Sequence, residues 1–412
     1  MENFHYVLKN TTLSKKSKLI ENLLKGNHSI SNLKNKKGLL FSNAVLTKFI
    51  EKEVKHSSST LTKKEKRSIR TFSSGEQKKA LLNYLIENNP DFLVLESPFE
   101  SLDQTSVKEL KERLINLSKK ITLIQIISRK EEILPIITHF LGIKKGKITN
   151  IIPIDNYRFT EDTVNFNCNI PKPITFYKNI PNLLISLQNV NVSYNDNHIL
   201  NDINWNINKN EFWQLIGPNG SGKSTILSMI YGNNVKAFGQ EVYLFGQKKG
   251  SGESIWEIKE KIGYFNPVML ELFQRSTTVK EMVISGFFDS IGLYKTPTIL
   301  KEKLAVEWLK LLDLESKSKE LFQNLSVVNQ RLVLIARAMI KHPPLLILDE
   351  PLINLDDKST QIITALINKI AQESNTTIIF VSHKTTKNLQ PNFIYELIPS
   401  QKGSIGKILK SN

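Results

Sequence analysis

The run Gly217-Pro218-Asn219-Gly220-Ser221-Gly222-Lys223-Ser224-Thr225 meets the pattern G-x-x-x-x-G-K-[ST] at every fixed position. Residues of these types at this spacing hold phosphate. The glycines let backbone N–H groups close on phosphate oxygens, and a helix leaving the run adds the partial positive charge of its N-terminus at the same spot. Lys223 then reaches the β- and γ-phosphates of a nucleoside triphosphate, and the Ser224 hydroxyl is a ligand for Mg²⁺. The flanking residues fit that chemistry. Apolar residues 212–216 predict a strand entering the run, and residues 226–231 predict the helix leaving it.

Farther along, two distant stretches read alike. In the first, Phe72-Ser73-Ser74-Gly75-Glu76-Gln77 opens a helix running to about Glu87, before Pro90. A short buried strand follows at residues 92–95, then Glu96-Ser97-Pro98 and Ser101-Leu102-Asp103. In the second, Leu325-Ser326-Val327-Val328-Asn329-Gln330 opens a helix that ends before Pro343. Residues 345–348 form its strand, then come Asp349-Glu350-Pro351 and Asn354-Leu355-Asp356. Ser73 lies 23 residues before Glu96, as Ser326 lies 23 before Asp349. Each copy has a further strand, ending at Ser128-Arg129 in the first and at Ser382-His383-Lys384 in the second. The chain is a duplication. Residues 151–182, with Pro153, Pro171, Pro173 and Pro181 and little regular pattern, read as the linker between residues 1–150 and 183–412. Strands alternating with helices predict an α/β fold with a largely parallel sheet in each copy.

Bulk properties agree. A chain of 412 residues exceeds what one core accommodates, so two domains are expected. Cys168 is the only cysteine, which suits a reducing compartment. The N-terminus lacks the apolar core of a signal peptide, and no apolar run approaches the roughly 18 residues of a membrane span. The expected location is cytoplasmic, peripheral at most on the inner face of the cell membrane. The net charge is +17, and residues 1–80 hold 18 Lys plus Arg against 6 Asp plus Glu. Nucleic acid or an anionic partner could use that charge, and so could a solvated lysine-rich surface. No basic stripe with interleaved aromatics is present there.

The phosphate run, the Ser-Ser-Gly-Glu signature, the aspartate-glutamate strand end and the downstream histidine resemble the ATP-binding cassette (ABC) superfamily, and the two copies cover nearly the whole chain. Residues 250–256 and 276–279 with 285–292 resemble, more narrowly, tandem-cassette proteins of the ModF type associated with molybdate transport. The resemblance implies two P-loop ABC-type nucleotide-binding domains in tandem, the first truncated and degenerate, with ATP and Mg²⁺ as cofactors. Asp349 would hold Mg²⁺ through water and Glu350 would serve as the base for the attacking water. His383 matches the family's switch histidine, and Tyr194, 29 residues before Lys223, matches its adenine-stacking aromatic.

The copies are damaged in complementary ways. The second lacks signature glycines, with Val327 and Val328 in their places, and carries Asn266 or Pro267 where the family has a glutamine. At Val327 and Val328 a Cβ blocks the close approach of backbone to phosphate. The first keeps Ser73, Ser74, Gly75 and Glu76 but has lost the rest. Asn10-Thr11-Thr12-Leu13-Ser14-Lys15-Lys16-Ser17 stands at the phosphate loop with only Lys16 and Ser17 matching, and Glu96, Ser97 and Ser128 replace the aspartate, glutamate and histidine. The family sandwiches ATP between the loop of one cassette and the signature of another. By that rule the losses in the first copy's loop and strand ends and in the second copy's signature all fall on one composite site, while the other keeps its loop, carboxylates, histidine and signature and departs only at Asn266 or Pro267.

The expected function is therefore ATP hydrolysis at a single site, with the two cassettes paired within the chain and no homo-oligomer required. The resemblance implies import of molybdate or a similar anion through separate integral-membrane permease subunits, docked around residues 278–293. The alternative is a non-transport ATPase acting on a ribosomal or nucleic-acid partner, which the basic N-terminal region favours.

Overall fold

A computed structural model describes residues 4–410 apart from 10–12, 27, 29, 57–60, 62–66, 101, 103, 145, 158–165, 196, 273–275, 291 and 294, and the side chains of 13–17, 56, 104 and 410. Asn10 to Thr12, Ser101, Asp103, Ile291 and the side chains of Leu13, Ser14, Lys15, Lys16 and Ser17 thus lie outside the described residues. The chain forms two compact units, Met1–Asp162 and Thr163–Asn412.

The first unit runs through β1 (Tyr6–Lys9), α1 (Leu13–Leu24), β2 (Gly38–Phe41), α2 (Asn43–His56), α3 (Ser74–Glu87), β3 (Phe92–Glu96), α4 (Gln104–Ser118), β4 (Thr122–Ile127), β5 (His139–Lys144) and β6 (Lys147–Pro153). Its strands form one six-stranded sheet in the order β2-β3-β4-β1-β5-β6, parallel except for the final hairpin. Strand β3 shows why the sheet is buried on both faces. Its residues alternate, with Leu93 and Leu95 in one core and Phe92 and Val94 in the other. Continuous apolar runs like this are what a parallel sheet covered on both sides requires.

The second unit begins with β7 (Leu183–Tyr194), β8 (Asn197–Asn208), β9 (Phe212–Ile216), α5 (Lys223–Ile230), β10 (Glu241–Leu244), β11 (Gln247–Lys248), α6 (Ile255–Glu260) and β12 (Ile262–Phe265). It continues through α7 (Met269–Leu272), α8 (Val279–Ile284), α9 (Ile299–Leu311), α10 (Val327–Met339), β13 (Leu345–Asp349), α11 (Asp357–Glu373), β14 (Thr377–Ser382), β15 (Phe393–Ile398) and β16 (Ile405–Lys410). The main sheet has the order β12-β13-β14-β9-β15-β16 and again ends in one antiparallel hairpin. Taken in chain order, its six strands sit where those of the first unit sit. Among the described residues a second, antiparallel sheet, β11-β10-β7-β8, is found in this unit alone.

The stretch between the copies is partly structured. Strand β6 reaches Pro153. Ile170 is buried in the core of the second unit, where its N–H donates to Glu373 Oε2 at 2.9 Å, and the Tyr177 hydroxyl donates to the Glu260 carbonyl at 3.0 Å. Cys168 is exposed. Among the described residues no helix is long and apolar enough to cross a membrane.

Candidate functional site

Buried strand β9 delivers the chain to Gly217, and the loop closes at Gly222, the N-cap of α5, with φ +92°. An added Cβ at Gly222 would lie 2.5 Å from Leu200 Cδ2, so glycine is needed for both conformation and space. Helix α5 consequently starts at Lys223 itself, ahead of the apolar residues that predicted its start at Ile226. Lys223 is buried, and its Nζ donates to the carbonyls of Gly217 (2.6 Å) and Pro218 (3.0 Å). Burial lowers its pKa, against the opposing pull of Glu350 and Asp349. Ser221 Oγ is buried with no hydrogen-bond partner, which fits a cradle built to meet an oxygen-rich ligand. Pro218, Asn219, Gly220 and Ser224 are exposed, and Thr225 is half-buried.

Strand β13 is buried up to Asp349, which pairs with Val381 of β14. Asp349 Oδ2 accepts a hydrogen bond from Asn266 Nδ2 at 2.7 Å and a long one from the Tyr264 hydroxyl at 3.4 Å. Burial and the charge of Glu350 raise its pKa. A divalent cation is the group that offsets negative charge gathered in this way, and a carboxylate with the Ser224 hydroxyl is an oxygen donor set suited to Mg²⁺. Glu350 adopts φ +50°, and its N–H donates to the Val381 carbonyl at 3.1 Å. Its Oε1 stands 3.0 Å from His383 Nε2. Burial alone would raise the Glu350 pKa, but the His383 hydrogen bond and the charges of His383 and Lys223 outweigh it and hold the carboxyl below its usual range. It is thus ionised at neutral pH, the state needed to accept a proton.

The turn carrying His383 is pinned from β9. Gln214 Nε2, buried in the middle of the sheet, donates to Ser382 Oγ (2.9 Å), the Lys384 carbonyl (3.1 Å) and Thr386 Oγ1 (3.2 Å). Tyr194, at the end of β7, is 42% exposed, accepts from Asn234 Nδ2 at 3.1 Å and has Lys236 Nζ 5.7 Å from its ring centroid. The second unit thus gathers Lys223, Asp349, Glu350 and His383, the side chains that transfer of a phosphoryl group to water calls for.

Ser73, Ser74, Gly75 and Glu76 lie in the first unit at the start of α3. Ser73 is the N-cap of a capping box, accepting from Glu76 N–H at 3.3 Å, while Glu76 Oε2 accepts from Ser73 N–H at 2.7 Å. Gly75 is buried where an added Cβ would stand 2.4 Å from Ser106 Oγ. The registers of the two sheets fix the matches between units. Glu96 pairs with Ile126 as Asp349 pairs with Val381. Lys9 pairs with Ile127 as Ile216 pairs with Ser382, so in sequence Asn10 aligns with Gly217. Helix α1 already begins at Leu13, a position that matches Gly220 and lies inside the loop of the second unit.

The ABC transporter family model matches residues 200–353. The chain is also 37% identical over 331 residues to the ABC transporter ATP-binding protein ModF of Escherichia coli K12, covering 77% of this chain and 67% of that protein. The chain belongs to the ABC transporter ATP-binding family. It is 31% identical over 333 residues to an uncharacterized ABC transporter ATP-binding protein of Schizosaccharomyces pombe, covering 77% of this chain and 66% of that one. It spans about two thirds of the length of both relatives. Among solved structures it is similar to cbiO1 of Clostridium perfringens, part of the ABC transporter complex cbiONQ, at 25% identity and a TM-score of 0.47, covering 55% of this chain and 88% of that one. As a member of this family the chain is an ATP-binding ATP hydrolase of α/β fold, with a degenerate N-terminal part.

Three polar residues around the site escaped the sequence reading: Tyr264, Gln214 and Arg331. Each lies in or beside an apolar stretch, and its partner is distant in sequence. Of Asn266 and Pro267, the structure places Asn266 against the strand-end aspartate.

Proposed function

We propose that the chain hydrolyses ATP at one composite site. Lys223, Ser224, Asp349, Glu350, His383 and Tyr194 come from an intact cassette, residues 183–412. The signature Ser73, Ser74, Gly75 and Glu76 comes from a degenerate cassette, residues 1–150, joined through residues 151–182. Mg²⁺ is held by Ser224 and, through water, by Asp349. One observation carries this reading: the sorting of the defects. Everything lost from the first copy's loop and strand ends, and the glycines lost from the second copy's signature, belong to one of two possible sites. Unselected decay would have damaged both. The ionised Glu350 beside His383 supports its role as the base. Replacing Glu350 with Gln is expected to lower turnover by about 10²–10⁴-fold while ATP stays bound. Turnover near wild type would defeat the reading.

The work driven is import of molybdate or a similar anion through permease subunits seated on residues 278–293. Support comes from the ModF-like segments and from the way this stretch is held. Arg337 Nε donates to Ser285 Oγ (2.9 Å), Arg337 Nη2 to the Ser290 carbonyl (3.0 Å), and Lys341 Nζ to Asp289 Oδ2 (2.6 Å). Co-purification of integral-membrane subunits tests it. Salt-sensitive association with ribosomes would instead favour the second reading, a non-transport ATPase, for which the basic charge of residues 1–80 speaks.

A further inference from the structure

Both units clamp the turn that follows the carboxylate strand from the same place on the signature helix. In the second unit Arg331 of α10, 4% exposed, donates from Nη1 to the Pro351 carbonyl at 2.7 Å. In the first, Lys78 of α3, also 4% exposed, donates from Nζ to the carbonyls of Pro98 (3.0 Å) and Glu100 (2.6 Å). Arg331 follows Ser326 by five residues, as Lys78 follows Ser73. Pro351 and Pro98 directly follow Glu350 and Ser97, which share the left-handed conformation at φ +50° and +42°.

A residue with a Cβ persists in that conformation only where its surroundings over-determine it. Here the anchors can be named. The Glu350 N–H is tied to the Val381 carbonyl at 3.1 Å, and its own carbonyl accepts from Ile353 N–H at 3.3 Å. The next carbonyl, that of Pro351, takes the buried guanidinium. Burying a cation is costly unless polar groups meet it, and an apolar side chain would pack the same space at less cost. Cations of different shape at both positions, aimed at the same carbonyl, therefore point to the hydrogen bond as the purpose. The first unit keeps the clamp although Ser97 has no acid–base role, so the clamp belongs to the turn. Its catalytic consequence arises only where the turn carries a carboxylate.

We propose that Arg331 is a positioning residue for Glu350, holding the left-handed turn so that the carboxylate stays opposite His383. This rests on Glu350 being the base. The test compares Arg331→Met, Arg331→Lys and Glu350→Gln in the full chain, measuring kcat and the ATP dissociation constant. Arg331→Met is expected to lower kcat about 10- to 100-fold, the scale on which a misplaced catalytic group loses rate. ATP affinity should stay within about twofold, because the phosphate loop is untouched. Arg331→Lys should recover most of the rate, since Lys78 shows that an ammonium reaches the matching carbonyl. Unchanged kcat in Arg331→Met, or parallel loss of kcat and ATP affinity in both Arg331 variants, overturns the proposal. If Arg331→Met does not fold, Arg331→Lys decides: near-wild-type kcat supports the clamp, and a folded variant as inactive as Glu350→Gln refutes it. If Glu350→Gln itself retains turnover, the base assignment has failed rather than the clamp alone.

Discussion

Strand β3 ends at Glu96, paired with Ile126, and passes into Ser97 at φ +42° with its N–H on the Ile126 carbonyl at 3.1 Å. Strand β13 ends at Asp349, paired with Val381, and passes into Glu350 at φ +50° with its N–H on the Val381 carbonyl at 3.1 Å. Backbone and register are the same, and the side chains at the strand ends differ. Around them the contrast continues. Gln214, which pins the turn of His383, corresponds to Val7, His383 to Ser128, and Asn266 to Ser42. Buried apolar residues on the inner strands, such as Leu93 and Val94 in β3 and Leu346 and Ile347 in β13, maintain the sheet in both units, and each such side chain contributes about 1.5–3 kcal/mol on burial. Loss of a few polar groups at strand ends leaves that core intact. A cassette can thus lose its catalytic groups and still hold its signature helix in place.

The sharpest way to break this contrast is to remove the matching lysines one at a time. Lys223→Ala takes away the cation of the loop that Gly222 shapes, and ATP hydrolysis is expected to fall by at least about 100-fold. Lys16→Ala, at the matching place in the first unit, should leave turnover within about twofold of wild type. Steady-state hydrolysis measures both. Equal losses would mean that the first unit also works on ATP.

A smaller effect separates the two clamps. Burial pulls the Lys78 pKa down to about 8, against the charges of Glu100 and Glu132. Above that value, and below the ordinary lysine pKa of 10.5, the unfolded chain holds a proton that the folded chain does not. Stability from this group therefore rises with pH across that window, by on the order of 1–3 kcal/mol. Lys78→Arg, which stays charged as Arg331 does, should flatten the rise. Thermal unfolding of both proteins at about pH 7.5 and 9.5 checks this. The same pH response in both would show that Lys78 is not the group responsible.

Much of this was legible in the residues. The loop reads from its glycines and lysine, and the duplication reads from equal spacings between signature and strand end. The parallel sheets read from short apolar runs alternating with helices. The antiparallel sheet β11-β10-β7-β8 did not, beyond the strand at β7. Its pairings, such as Glu241 with Gln188, join segments whose alternation says nothing about which partner each will take. Tyr264, Gln214 and Arg331 were silent for a related reason. A polar residue in an apolar run announces only that it needs a partner, and the fold alone supplies Asp349, the His383 turn or the Pro351 carbonyl. The start of α5 at Lys223 was hidden because a first helical turn bound for a ligand has no need of apolar residues.

If the first cassette completes the second's ATP site and not the reverse, hydrolysis depends on Ser73 and not on Ser326. Ser73→Arg and Ser326→Arg place the same bulk and charge at matching N-caps, and steady-state ATP hydrolysis of the two variants tests the claim directly. Ser73→Arg is predicted to abolish turnover, while Ser326→Arg, in the signature already lacking its glycines, should stay near wild type. Full activity in a folded Ser73→Arg protein, with loss in Ser326→Arg, would contradict it.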